Sequence, residues 1–238
     1  VTGVQTCALP ICSGAGKSTL VNLLLRFHDV EGGQIKIDGQ EISHITQDSL
    51  RRNIGMVTQD TSLLHRSIRD NVLYGNPDAT EDDLLRATKQ AHAHEFIETL
   101  SDPFGNTGYD AQVGERGVKL SGGQRQSVSL LMSALQPSKI LLLDEHTAAL
   151  DPKTAALIMD ISRQIIEEKQ LTVLMVTHSM RQALDYGSRT LMLHEGKVVF
   201  DLSGEERKQY EVKDLLNLFA KARGDGEELD DDKLLLGA

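Results

Sequence analysis

Ser13-Gly14-Ala15-Gly16-Lys17-Ser18-Thr19, followed by Leu20 to Phe27 with apolar residues on one face, is the stretch that decides the fold. It matches the end of the phosphate-cradling pattern G-x-x-x-x-G-K-[ST]. Small residues let successive backbone amides close around a polyphosphate, and the helix that follows points its positive end at the same place. Lys17 would reach the β- and γ-phosphates, Ser18 would ligate Mg2+, and Thr19 would sit near the α-phosphate. The pattern departs at one position, where Ile11 stands in place of the opening glycine.

Two further strings carry chemistry. Ile140-Leu141-Leu142-Leu143-Asp144-Glu145 reads as an apolar strand ending in two carboxylates. A buried strand of this kind delivers them to the C-terminal edge of a sheet, where open α/β sheets bind ligands. Asp144 suits a Mg2+ site reached through water. Glu145 suits a general base or a group that positions water. Leu120-Ser121-Gly122-Gly123-Gln124-Arg125-Gln126 is a second helix entrance with two glycines baring its amides, and so a second anion site. A monomer binding one nucleotide has no evident need of two.

The rest of the chain fits an α/β protein. Ile54 to Thr58 and Leu171 to Thr177 read as buried strands. Gln34 to Ile37 with the Asp38-Gly39 turn reads as a short hairpin, as does Thr190 to Asp201 turning at Glu195-Gly196. Thr80-Glu81-Asp82-Asp83 is a capping-box start for a helix running through Ala91. Ser121 caps a helix from Gly122 to Leu135, and Asp151 caps one from Pro152 to Glu168. Alternating strands and helices predict a mostly parallel sheet covered on both faces. The end from Gly224 is acidic and reads as a solvated, poorly ordered tail.

Composition excludes several classes. In 238 residues the formal net charge is -10, tryptophan is absent and aromatics make up 4%. That leaves neither a global basic footprint nor stacking platforms for nucleic acid. No apolar run approaches the length of a membrane span. The two cysteines, Cys7 and Cys12, are too few for a disulfide framework.

Taken in order, these motifs resemble the ABC (ATP-binding cassette) ATPases from Ser13 to about Asp201. The resemblance rests on the phosphate loop, Gln59 as the Q-loop glutamine, Leu120 to Gln124 as the signature, Asp144-Glu145, the D-loop Ala149-Leu150-Asp151, and His178 as the switch histidine. It implies a P-loop NTPase with a mostly parallel, RecA-like sheet core, a helical subdomain carrying the signature and a truncated antiparallel β part. The expected domain spans residues 12–205, with its core at 12–59 and 138–205, the helical subdomain at 60–137 and a C-terminal extension at 206–238. The resemblance implies ATP and Mg2+ as ligands. ATP would be bound by Ser13, Gly14, Ala15, Gly16, Lys17, Ser18, Thr19, Ser121, Gly122, Gly123, Gln124 and Asp151. Ser18, Gln59 and Asp144 would serve the metal, and Glu145, His178 and Gln59 catalysis. It implies a head-to-tail homodimer or heterodimer of nucleotide-binding domains. A transmembrane permease domain or subunit would be the further partner, placing the chain peripherally on the cytoplasmic face of the inner or plasma membrane. The adenine-stacking aromatic of the family lies upstream of the phosphate loop, and this sequence does not contain it.

Two features complicate this picture. Val1 to Ile11 resembles the translation of a short-read sequencing adapter, is set apart from the fold as an artefact, and implies that the natural chain begins upstream. The stretch from Ser13 to about Gln126 resembles half-size ABC exporters. The stretch after it, with His146 and Ala148 where exporters usually carry alanine and serine, resembles ATPase subunits of bacterial importers. A join at Leu120 to Gln126 would explain both. Beside the transport reading stand a non-transport ABC ATPase of DNA repair or translation and an inactive truncated or chimeric fragment. The former usually carry coiled-coil insertions or two cassettes, which this sequence lacks.

Overall fold

The computed structural model describes residues 6–10, 16–114 and 117–223. Ile11, Ser13 to Ala15 and the acidic stretch from Gly224 lie outside the described residues. In chain order the elements are β1 (Thr6–Pro10), α1 (Lys17–Leu24), β2 (Lys36–Ile37), β3 (Gln40–Glu41), α2 (Gln47–Arg52), β4 (Ile54–Thr58), α3 (Ile68–Tyr74), α4 (Glu81–Gln90) and α5 (His94–Glu98). They continue as α6 (Gly122–Leu135), β5 (Ile140–Asp144), α7 (Pro152–Lys169), β6 (Thr172–Thr177), α8 (Met180–Asp185), β7 (Arg189–His194), β8 (Lys197–Ser203), α9 (Gly204–Arg207) and α10 (Val212–Arg223). The chain divides into two compact units, Ile45–Thr172 and Gln5–His44 with Val173–Ala238.

In the first unit β4 and β5 pair in parallel, from Ile54↔Ile140 to Thr58↔Asp144. Leu141, Leu142 and Leu143 are all buried, as a strand covered on both faces requires. Each such leucine contributes about 1.5–3 kcal/mol on burial, which is why β5 lies deep in the core. Helix α6 buries Val128, Leu130, Leu131 and Ala134. Helix α7 buries Ile158, Ile161, Ile165 and Ile166 on the face it turns inward. Helices α3 and α4 pack on α6 in turn. The ends follow the sequence signals: Thr80 with Asp83, and Ser121 with Gln124, form complete capping boxes. Helix α6 stops at Leu135 because Gln136, preceding Pro137, is extended.

In the second unit β1 runs parallel to β6, from Thr6↔Val173 to Pro10↔Thr177, and parallel to β7 at Cys7↔Arg189 and Ala8↔Thr190. The ladder to β7 ends before Pro10, which has no N–H to give. Strands β7 and β8 form the expected antiparallel hairpin, with Glu195 (φ 49°) and Gly196 (φ 73°) in the left-handed turn. The small hairpin β2–β3 closes on Asp38 and Gly39, both also left-handed. Residues 6–10, set apart from the fold in the sequence reading, form β1 here. Backbone pairing asks only for an extended segment, so a weakly apolar sequence can take the place. Helix α10 was not foreseen in the C-terminal extension. Its Leu215, Leu216, Phe219 and Ala220 are buried, and Phe219 meets His194 edge-on at 5.7 Å.

Candidate nucleotide site

In the second unit Gly16 precedes α1 in a left-handed conformation, φ 98°. Among the described residues a Cβ there would meet nothing closer than the Gly196 Cα at 4.0 Å, and the left-handed backbone itself calls for glycine. Helix α1 opens with Lys17, Ser18 and Thr19, and no side chain caps its N-terminus. In this it differs from α6 and α7, whose first turns are capped by Ser121 and Asp151. Strand β6 delivers His178 to the same place: Lys17 Nζ lies 2.8 Å from His178 Nε2. The turn around His178 is fixed on both flanks. Thr177 Oγ1 donates to Gln182 Oε1 at 2.7 Å and accepts from Ser179 N–H at 3.0 Å, while Ser179 Oγ caps α8.

In the first unit the register places Gln59 and Glu145 together at one end of a strand pair. Thr58 and Asp144 are Cα partners, so Gln59 and Glu145 each leave the parallel pair one residue later, at the same end. Glu145 sits at φ 50°, left-handed backbone that a side chain of this size adopts only under constraint. A turn follows, with Ala148 N–H bonded to the Glu145 carbonyl at 3.0 Å and Leu150 N–H to that of Thr147 at 3.2 Å. Asp151 then caps α7 through Thr154 N–H at 3.1 Å. Hydrogen bonds from Thr154 hold the Asp151 carboxyl below the usual carboxylate range.

The signature glycines face this turn. A Cβ on Gly122 would stand 3.3 Å from Leu150 Cδ2, and one on Gly123 would stand 2.4 Å from Thr154 Cγ2. Ser121 Oγ accepts from Gln124 N–H at 3.2 Å, and Gln124 Oε1 accepts from Ser121 N–H at 2.9 Å. Gln59, Gly122 and Leu150 line one cleft of about 400 Å³, together with Arg125, Gln126 and His146. The structure thus gathers Gln59 and the signature in this unit, and Lys17 with His178 in the other.

His146 has a place the sequence did not disclose. It is 3% exposed, and its Nε2 lies 3.2 Å from Ser162 Oγ. That hydroxyl donates to the Ile158 carbonyl at 2.7 Å, so His146 Nε2 carries the proton and donates. Burial pushes the imidazole down to about 4. The loop after Glu145 is therefore tied to α7 by a neutral histidine. Gln126 was also missed as a site residue; a glutamine on the buried side of an amphipathic helix was the available signal, because such a group needs internal partners.

A glycine-entered helix bearing lysine and serine, with a strand-end acid pair, defines a P-loop nucleotide-binding domain. Residues 7–148 match the ABC transporter family, and the chain belongs to that family as one of its ATP-binding ATPase domains. It is 48% identical over 211 residues to an ABC transporter ATP-binding protein of Haemophilus influenzae, covering 88% of this chain and 33% of the relative. It is 43% identical over 195 residues to a beta-glucan export ATP-binding/permease protein of Rhizobium etli, covering 82% of this chain and 32% of that one. Among solved structures, a bacterial Atm1-family ABC exporter with ATP bound superimposes with a TM-score of 0.76 at 37% identity, over 94% of this chain and 37% of that one. The domain is thus similar to exporter ATPase domains, and the chain spans about a third of the length of these relatives. The Haemophilus match, at 88% of the chain, runs through Leu120 to Gln126, so one curated protein resembles both halves. Among the described residues no helix is long and apolar enough to cross a membrane.

Proposed function

We propose that this chain is the motor of a membrane exporter, with residues 12–205 as the ATPase domain, 60–137 as its helical part and 206–238 as an extension. Two such domains, identical or related, close head to tail over ATP, and hydrolysis reopens them. A permease domain or subunit turns that cycle into transport, with the ATPase on the cytoplasmic face of the membrane. The export direction comes from the Rhizobium relative and the solved Atm1-family structure, both of which are named for export. The observation that carries the reading is the 2.8 Å approach of Lys17 Nζ to His178 Nε2. Two residues 161 positions apart converge on one point ahead of an uncapped helix, where a γ-phosphate would lie.

In this mechanism the amides of Ser13, Gly14, Ala15 and Gly16 enclose the phosphates, Lys17 neutralises the β- and γ-oxygens, and Thr19 lies by the α-phosphate. Ser121, Gly122, Gly123 and Gln124 of one copy close over the γ-phosphate held by Lys17 of the other, with Asp151 beside them. Gln59 orients the attacking water and Glu145 takes its proton. The oxygen–phosphorus bond to ADP breaks as the new bond to water forms, and His178 steadies the γ-phosphoryl oxygens.

The donors assigned to the metal, the Ser18 hydroxyl, the Gln59 amide oxygen and the Asp144 carboxylate through water, are hard oxygen ligands that fit Mg2+. No group of three or more His, Cys, Asp or Glu among the described residues could hold a metal by itself, consistent with an ion bound largely by phosphates. Bound there, Mg2+ would offset charge on the phosphate oxygens.

Glu145→Gln tests the reading. The variant keeps ATP bound, accumulates as a dimer in size-exclusion chromatography with ATP, and releases no phosphate. Turnover at the parent rate would remove Glu145 from the role of base.

A further inference from the structure

Helix α6 carries Gln126 and Ser133 seven residues apart on one side, and Gln136 follows directly after its last residue. Each donates to a carbonyl of β4. Gln136 Nε2 reaches the Ile54 oxygen at 3.2 Å, Ser133 Oγ the Met56 oxygen at 2.9 Å, and Gln126 Nε2 the Thr58 oxygen at 3.3 Å. Residues two apart in a strand turn their carbonyls to the same edge. Strand β4 ends its sheet and pairs only with β5 among the described strands, so α6 serves the edge that no strand covers.

Gln126 differs from the other two rungs. Its Oε1 also accepts from Thr61 Oγ1 at 3.4 Å, so a single amide bonds the chain on both sides of Gln59. Both bonds are long. The side chain is nevertheless 2% exposed, and a primary amide buried to that degree has to be satisfied from within the protein. Gln126 and Gln59 also line the same cleft.

We propose that Gln126 is a positioning residue: it clasps residues 58–61 and fixes the Gln59 loop in register with the signature helix. This rests on the reading of Gln59 as a catalytic group. In that reading the N-terminus of α6 answers to nucleotide held by the other copy, while Gln59 answers to nucleotide on its own copy. The clasp makes α6 the part through which two nucleotide sites in a dimer sense one another's occupancy.

The test compares Gln126→Leu, a change of similar volume that removes both amide bonds, with Ser133→Ala, which removes only the middle rung. Hydrogen–deuterium exchange is followed at the amides of Asp60, Thr61 and Ser62 and along α6, and kcat and KM for ATP are measured separately. In Gln126→Leu, exchange at those three amides rises about tenfold while α6 stays protected. Its kcat falls about tenfold with KM within about twofold of the parent, the mark of an interaction lost mainly in the transition state. Ser133→Ala moves neither quantity at the Gln59 loop. Unchanged exchange at Asp60 to Ser62 in Gln126→Leu overturns the clasp, and raised exchange with an unaltered kcat overturns its role in positioning Gln59. If Gln126→Leu does not fold, Thr61→Val removes the Oε1 contact alone and is held to the same two outcomes at half the number of bonds lost. Gln59→Ala run alongside separates the two claims: parent-level turnover there defeats the catalytic reading of Gln59, while the exchange result on the clasp stands.

Discussion

Lys17 and His178 meet at 2.8 Å, ammonium nitrogen to imidazole Nε2. An ammonium has only protons to offer, so Nε2 accepts and the ring proton sits on Nδ1. His178 is thereby held beside the lysine proposed to bind phosphate. A γ-phosphate entering between them would exchange one partner of Lys17 for a more highly charged one. His178→Ala accordingly leaves ATP binding close to the parent value and lowers kcat by about a hundredfold, the size expected for one group that acts mainly in the transition state. Equilibrium binding of a fluorescent ATP analogue and phosphate release together check it. Loss of binding to the same degree as kcat would assign His178 to ground-state affinity instead.

Glu145 stands in left-handed backbone, φ 50°, at the end of β5. Holding a side chain there costs about 1–2 kcal/mol, which glycine does not incur. Glycine carries about 0.5–1 kcal/mol of extra unfolded-state entropy, so the net gain is smaller. Glu145→Gly therefore raises the midpoint of urea unfolding by an amount equivalent to about 1 kcal/mol or less while abolishing turnover. A variant less stable than the parent would show that contacts of the Glu145 side chain outweigh the backbone strain.

Much of this site was legible because its residues announce themselves locally. Gly16-Lys17-Ser18, the Ser121 cap and the Asp151-Pro152 start each carry a chain signal that needs no tertiary partner, and the structure places a helix start at each. Strand β5 was legible from four consecutive apolar residues. His146 and Gln126 were not legible in the same way, since their roles depend on partners far along the chain, Ser162 for one and Thr58 for the other. The short helices α2, α3 and α5 escaped for a related reason. At six, seven and five residues they are too short for periodicity to declare them, and tertiary packing sustains them.

Gly123 is fixed by packing as well as by any need to bare an amide. Its added Cβ would stand 2.4 Å from Thr154 Cγ2, on a β-branched side chain in the first turn of α7. Gly123→Ala should destabilise the domain by about 1–3 kcal/mol through overpacking. Thr154→Ser deletes the clashing methyl and keeps the backbone N–H that Asp151 accepts from. The double variant therefore recovers most of the lost stability in thermal melts. Its ATP turnover stays low, because the methyl still covers the helix entrance. Recovery of turnover along with stability would make Gly123 a packing residue only.

Asp102 sets an acid limit on the helical part of the first unit. Its Oδ1 accepts from the backbone N–H groups of Phe104 and Asn106, each at 2.9 Å. Its Oδ2 accepts from Asn106 Nδ2 at 2.8 Å and Gln112 N–H at 2.9 Å. Burial alone would raise the carboxyl, but these four donors together outweigh it and bring the group down to about 2. A carboxylate whose folded value lies below its unfolded value of about 3.9 stabilises the fold above that pH, and the contribution fades as pH falls from about 4 toward 2. Asp102→Asn replaces an acceptor by an amide that turns a donor toward donors. Its urea midpoint at pH 7 should lie well below that of the parent, and the gap should narrow steadily between pH 4 and pH 2.5 as the parent loses its own carboxylate. A gap that stays constant over that range would mean that Asp102 acts through shape and not through charge.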